Sequence, residues 1–353
     1  MLARFKGIAL NIRIVLGNIF TPTSKQDNDA IRAVWFDVEA VLYNRYLFNL
    51  VKFFEINGYK VYFKPRVLRY LTLTNQYARL LFKEDNVKFS RSIPPNCVMA
   101  FSDRDQAKKE LKFLSTHYYE HLAGAELIKT EHYQVPMAMH PYMYIQQYWD
   151  KQFHATRKHS IFFAGNFDEK VYSQFSEENK FPMLDRTAIY NRLKTLAVTV
   201  FPKSYQELVT SKKEGQVVVV CRDNFAVPME SLRETIAAFA FFLACPGMVM
   251  PFSHNVIEAM SVGTIPIIHQ NYATLFIPAL QHKHNAIVFD DTDFEKKIEE
   301  ALHVSETDID EMIKNVQQYY GHYLSPEAVV NNILTSTGHN IYLLDGINSV
   351  NLI

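Results

Sequence analysis

Glu258 is the residue whose type and setting most invite chemistry, and it lies in the stretch Pro251 to Ile268, PFSHNVIEAMSVGTIPII. An ionised carboxylate only accepts hydrogen bonds, so one placed here can take both hydroxyls of a cis-diol such as a ribose. Ser253, His254 and Asn255 precede it in a loop that opens a helix. Backbone N–H groups at a helix start lack partners and carry partial positive charge, which suits a diphosphate. Ribose and diphosphate together point to a nucleotide sugar. The same carboxylate would also serve to complement the helix dipole or to pair with a neighbouring base.

The elements that must position Glu258 follow from the pattern around it. Phe239 to Ala244, FAFFLA, is a continuous apolar run and predicts a strand buried on both faces in a parallel sheet. Cys245, Pro246 and Gly247 break it, Ser253 is the expected N-cap, and Val256, Ile257 and Met260 supply an apolar helical face. Gly263 is the expected helix stop, and Ile265 to Ile268 returns as the next strand. The unit is strand, helix, strand, with Glu258 at its mouth.

This run, with Ser253-x-x-x-x-Glu258-Ala259-x-x-x-Gly263-x-Ile265-Pro266 after a Pro/Gly loop, resembles the donor-domain signature of GT-B glycosyltransferases, nearest to the exostosin-like group. The specific match is confined to this stretch, and the general layout extends over much of the second half. The resemblance implies that Glu258 contacts the nucleotide ribose and that the turn at Gly165 and Asn166 faces a cleft. Exostosin-like sequences carry Arg three residues before the Glu, where this chain has Asn255; His254 beside it is the candidate to neutralise the donor phosphates.

Other candidates rest on position at strand ends. Gly165 and Asn166 stand just past the run Ile161 to Ala164, at a carboxyl edge where ligands of open α/β sheets collect; a tight turn would read the same way. Arg186 and Arg192 lie on one predicted helix, Asp185 to Thr195, but on different faces, so one at most is expected at the ligand, and Arg186 is favoured. Arg222, after the strand Gln216 to Cys221, is a comparable donor-binding candidate. In the first half, Asp37 and Glu39 close the strand Ile31 to Phe36 ahead of Tyr43, Asn44 and Arg45, and they are the candidates for an acceptor-side base, Asp37 first. Helix charge compensation is the alternative for both. Asp103-Arg104-Asp105 has the form of the metal-binding Asp-x-Asp of GT-A glycosyltransferases, but that motif belongs to a different layout, so no metal and no other cofactor is expected.

Length and composition set the frame. A chain of 353 residues with 48% hydrophobic and 21% charged residues holds two ordinary soluble domains. Thirty-seven basic and thirty-seven acidic residues cancel, so no global field draws it to nucleic acid or anionic lipid. Cys97, Cys221 and Cys245 have no metal-ligand spacing and read as free thiols of a reducing, cytoplasmic compartment. The apolar run Ile8 to Phe20 is interrupted by Asn11, Arg13 and Asn18, so neither a signal peptide nor a span is expected, and membrane contact is peripheral at most.

Strand and helix alternate in both halves, predicting two Rossmann-like doubly wound α/β domains facing a cleft, a GT-B-like layout. Ile31–Phe36, the helix Ala40–Glu55 and Tyr59–Phe63 form a βαβ unit closed by Asn57-Gly58; Cys97–Phe101 is a further strand, and Gln106–Thr116 reads as a helix. The linker is placed in VPMAMHPYM, giving an acceptor-side domain over 1–140, a donor domain over 141–335 and a tail over 336–353 that packs back on the first domain. The expected activity is transfer of a sugar from a nucleotide-activated donor to a glycan or lipid-linked glycan, in cell-surface polysaccharide assembly. Its rivals are a sugar-nucleotide epimerase of the same layout and a non-catalytic glycan-binding scaffold. No Gly-x-Gly-x-x-Gly, P-loop or serine elbow is present to favour another class.

Overall fold

The computed structural model describes residues 31–39, 44–66, 75–104, 111–119, 132–153, 156–172 and 181–345, together with Ser349. Readings that fall elsewhere, including Ile8 to Phe20, Tyr43 and Asp105, lie outside the described residues. The described chain forms two units, one running up to Val135 and resuming at Pro326, the other Pro136–Ser325.

Six strands open the first unit: β1 Ala33–Asp37, β2 Lys60–Phe63, β3 Val87–Phe89, β4 Cys97–Ser102, β5 Lys112–Ser115 and β6 His132–Gln134. The second unit carries β7 Lys158–Gly165, β8 Thr199–Val200, β9 Val217–Cys221, β10 Phe239–Ala244, β11 Ile265–His269 and β12 Ile287–Phe289, and β13 Asn340–Tyr342 returns to the first. The first sheet has the order β3-β2-β1-β4-β5-β13-β6 and the second β12-β11-β10-β7-β9-β8, with every described pairing parallel. Both units are thus doubly wound α/β domains.

In the first unit β1 is buried along its whole length, and Phe36 stacks on Phe63 and Phe101 in the neighbouring strands, with ring centroids 5.2 and 4.6 Å apart. The helix α1, Arg45–Ile56, begins where Asn44 accepts hydrogen bonds from the Tyr46 and Leu47 amides, and it ends at Asn57 with Gly58 at φ +79. Two expectations fail here. Lys112–Ser115 is a strand where a helix over Gln106–Thr116 was expected, because Phe113 and Leu114 find partners in β13, some two hundred residues away in sequence. The helix Pro326–Thr335, whose pattern reads as a closing helix that crosses back although the expected boundaries give it to the donor domain, belongs to the first unit: it buries Ala328, Val329, Val330 and Ile333 and packs on α1, and Asn57 Nδ2 donates to the Pro326 carbonyl at 3.2 Å. The division likewise falls at Val135/Pro136 rather than after His140.

The core of the second unit is β10, whose six residues are all buried; each fully buried Phe or Leu contributes about 1.5–3 kcal/mol. Phe162 of β7 stacks on Phe239 at 4.8 Å. Three helices matter for the site: α2, Arg186–Leu193; α3, Met229–Ala237; and α4, His254–Met260. Asp185 caps α2 by accepting from the Ala188 amide at 2.6 Å. Gly263 ends α4 at φ +75, a left-handed backbone that disfavours any side chain.

Candidate active site

Each sheet has one point where the strand order reverses. In the second it lies between β7 and β10, because the chain goes from β7 out to β8, back through β9, and then to the other side of β7. Ligands of open α/β sheets bind in the crevice at such a point, outside the carboxyl ends of the strands. The lips are the turn after β7 and the loop from Cys245 to Ser253. Gly165 ends β7 and accepts from the Arg222 amide at 2.9 Å, so Gly165, Asn166 and the exposed Arg222 share one lip. A Cβ on Gly165 would lie 2.6 Å from the Phe163 ring, so any side chain there would force that buried ring to shift.

Arg186 is buried, and it joins the two lips instead of offering itself to a ligand. Its Nε and Nη2 donate to the Pro246 carbonyl at 3.0 and 2.8 Å, and its Nη1 to the Asn166 carbonyl at 3.2 Å and to Tyr172 Oη at 2.8 Å. Arg192 points elsewhere and pairs with Glu295 at 3.6 Å.

Glu258 has no exposed surface. Its Oε1 accepts from the His140 amide at 3.1 Å and faces His254 Nδ1 at 3.0 Å, while Oε2 is buried with no hydrogen-bond partner among the described residues. The exposed member of the pair is His254, at 36% of its side chain. One turn earlier on the same helical face, Asn255 is 8% exposed and its Oδ1 is also buried without a partner among the described residues. Ser253 holds the N-cap position without a side-chain cap, and its amide is already given to Tyr272 Oη at 2.9 Å.

A buried carboxylate persists only with compensating charge and hydrogen bonds. Arg233 of α3 supplies the charge that Glu258 feels, held by Ser261 Oγ at 3.0 Å and the Tyr148 carbonyl at 2.5 Å. Tyr144 and Tyr320 interact with the same group, and burial pushes both phenols upward, so they stand neutral. Tyr320 opens the π-helical turn Tyr320–Leu324, and its hydroxyl is a further buried group with no hydrogen-bond partner among the described residues. Nothing in the local pattern signals Arg233 or Tyr320, which come from separate elements.

The reversal in the first sheet lies between β1 and β4. Asp37 and Glu39 follow β1, and Asp103 and Arg104 follow β4. Asp37 receives Lys64 Nζ at 2.8 Å and Arg66 through Nε at 3.1 Å and also Nη2. Burial works to raise the Asp37 carboxyl, but Lys64 and Arg66 together outweigh it and hold it below the usual range. Glu39 Oε1 receives Arg66 and Arg104, each at 2.9 Å. Asp103 differs: its Oδ2 accepts the Glu39 amide at 2.6 Å, its Oδ1 is buried without a partner among the described residues, and burial pushes it up to about 6. In sequence Asp103 reads only as part of a metal motif; that burial outweighs the pull of Arg66 and Arg104 on it follows only from β1 and β4 being neighbours. Among the described residues no group of three His, Cys, Asp or Glu is placed to hold a metal ion. No described helix is long and apolar enough to cross a membrane.

No protein-family model matches the chain, and no curated protein matches it. Among solved structures it is similar to HepE from Anabaena in complex with UDP, with a TM-score of 0.38 and 9% identity over 86% of this chain and 98% of that one. The same protein in complex with UDP-glucose gives 0.37 and 10% over the same shares. WaaG, a glycosyltransferase involved in lipopolysaccharide biosynthesis, gives 0.32 and 12% over 86% of this chain and 99% of its own. At these scores the likenesses carry no weight for site or activity, and the doubly wound topology stands on the two sheets themselves.

Proposed function

We propose that the chain is a glycosyltransferase of the GT-B type that takes a sugar from a nucleotide-activated donor, with the nucleotide at the strand-order reversal of the second unit. The observation that carries this is the pair of acceptor oxygens, Asn255 Oδ1 and Glu258 Oε2, buried and without a partner among the described residues, on one face of the helix α4 that follows one lip; a ligand reaches them when that lip opens. A buried acceptor left unpaired costs about 1–3 kcal/mol, more when charged, so a group bearing hydroxyl donors is the natural complement. A ribose bears them. The donor's phosphates then lie along Pro251 to Asn255 and the lip of Gly165, Asn166 and Arg222, where side chains and amides take the place of a metal.

The acceptor, a glycan or lipid-linked glycan of cell-surface polysaccharide assembly, is assigned to the strand-order reversal of the first unit. Of its carboxylates Asp103 is the better proton acceptor, since Asp37 is held ionised by two cations and so has little affinity for a proton. The reading places the reaction in the cytoplasm or at the inner face of the membrane.

A thermal-stability screen with UDP, GDP and CMP tests the donor half. A nucleotide present at about a hundred times its dissociation constant should add about 2.7 kcal/mol, and Glu258→Ala should abolish the gain. Should water alone complete the two oxygens, no nucleotide will stabilise the protein, and the reading fails.

A further inference from the structure

We infer that the second unit has a further binding site, a cavity between its sheet and the helix Tyr205–Thr210, and that this cavity takes a small organic anion with a flat apolar body, an aromatic monocarboxylate. β8 is two residues long and the helix that carries the chain from it to β9 has six, too few to cover the sheet face beneath them. A cavity of about 240 Å³ remains there. An apolar cavity of about 150 Å³ takes a benzene, and pockets for drug-sized ligands begin at about 300 Å³, so this one fits a body of one or two rings. It reaches the amino ends of β7 and β10, where Lys158 and Phe239 are paired, whereas the crevice assigned to the nucleotide lies at the carboxyl ends.

Val218, its register partner Val200, Leu208 and the rings of Phe201 and Phe239 give the cavity apolar walls. Two aromatic side chains in the wall favour a ring as the ligand's body. Lys158 supplies the charge. Its Nζ donates to the Ser211 carbonyl at 2.6 Å and stands over the Phe239 ring, 5.2 Å from the centroid. An ammonium has three hydrogens, so two remain to be given. Among the described residues no carboxylate comes within ion-pair distance of Lys158; Glu214 pulls on it from further off but does not offset burial, which holds the ammonium below its ordinary range. A partly buried cation without an ion-pair partner is the group that an incoming carboxylate completes. The exposed Lys213 adds a second positive charge at the rim, against one carboxylate among the described lining residues, Glu207, whose Oε2 already accepts the Lys203 amide at 2.9 Å.

Ligand-observed NMR titration of the full chain near neutral pH, with phenylacetate as the probe and the neutral phenylacetamide beside it, tests this. Phenylacetate should bind with a dissociation constant of about 1 mM, as suits so few atoms, and the amide about tenfold more weakly. Lys158→Met, which keeps an apolar stem and removes the charge, should weaken phenylacetate about tenfold. Val200→Phe, which fills the cavity from the edge strand, should abolish binding, and it carries the test alone if the Met variant does not fold. Amide binding as tight as that of the acid, or phenylacetate binding unchanged by Lys158→Met, overturns the anionic class of the ligand. No binding of phenylacetate, or binding that Val200→Phe leaves as it was, overturns the site itself.

Discussion

Of the two oxygens of the buried Glu258, Oε1 is engaged by the His254 ring and the His140 amide, while Oε2 has no partner among the described residues. The residue types legible in the sequence around it, Ser253 to Glu258, do converge at the carboxyl edge of β10, but their partners do not appear in any local pattern. Arg186 looks in sequence like a free guanidinium near a helix start; its acceptors, Pro246 and Asn166, are brought to it only by the fold. The first unit repeats the lesson, because Asp37 and Glu39 make close ion pairs with Lys64, Arg66 and Arg104, whereas at Asp103 burial outweighs the more distant pull of Arg66 and Arg104. Asp103→Asn should lower transfer about 10²–10⁴-fold with nucleotide affinity unchanged, as measured by initial rates and calorimetry. It should also raise the melting temperature. Burial lifts the Asp103 carboxyl above its ordinary value of about 3.9, so the stability it contributes is complete below that value and is lost as pH rises through about 6. The gain of the Asn variant should therefore appear above pH 6 and vanish toward pH 4. Asp37→Asn, which leaves Lys64 and Arg66 without their carboxylate, should act on stability in the opposite sense.

The elements that sequence shows best are those with strong periodicity and local stops. The all-buried run of β10, the short α4 and its Gly263 stop, and β9 fall close to where apolar pattern and glycine put them. Those it hides are short or paired over long distances: β3 and β13 have three residues each, and β5 is a strand because of β13. Gly263→Ala should cost about 1–2 kcal/mol in denaturant unfolding, since a Cβ at φ +75 is strained and would meet the Gln317 side chain at 3.0 Å. Arg186→Ala releases the Pro246 and Asn166 carbonyls together and should cost about 3 kcal/mol, with nucleotide affinity falling as the lips part. Arg186→Lys should not rescue it, because one ammonium cannot reproduce the guanidinium fork.

On the scale of the whole molecule, the alternation of strand and helix was enough to give two doubly wound units, but not to say where the chain leaves the first and returns to it. It returns at Pro326, and β13 then takes a place between β5 and β6 inside the first sheet. A chain cut after Ser325 loses that strand and its packing helix. The first unit should then lose its cooperative melting transition while the second keeps its own, as followed by calorimetry and limited proteolysis. Each unit places charged groups at its own reversal of strand order, and the central claim is that the second of these holds a nucleotide. Hydrogen exchange of the full chain with and without UDP or GDP tests it most directly. Added protection over Gly165–Asp168 and over Cys245–Met260 is expected; protection confined to the first unit, or none at saturating nucleotide, would contradict a nucleotide site at Glu258.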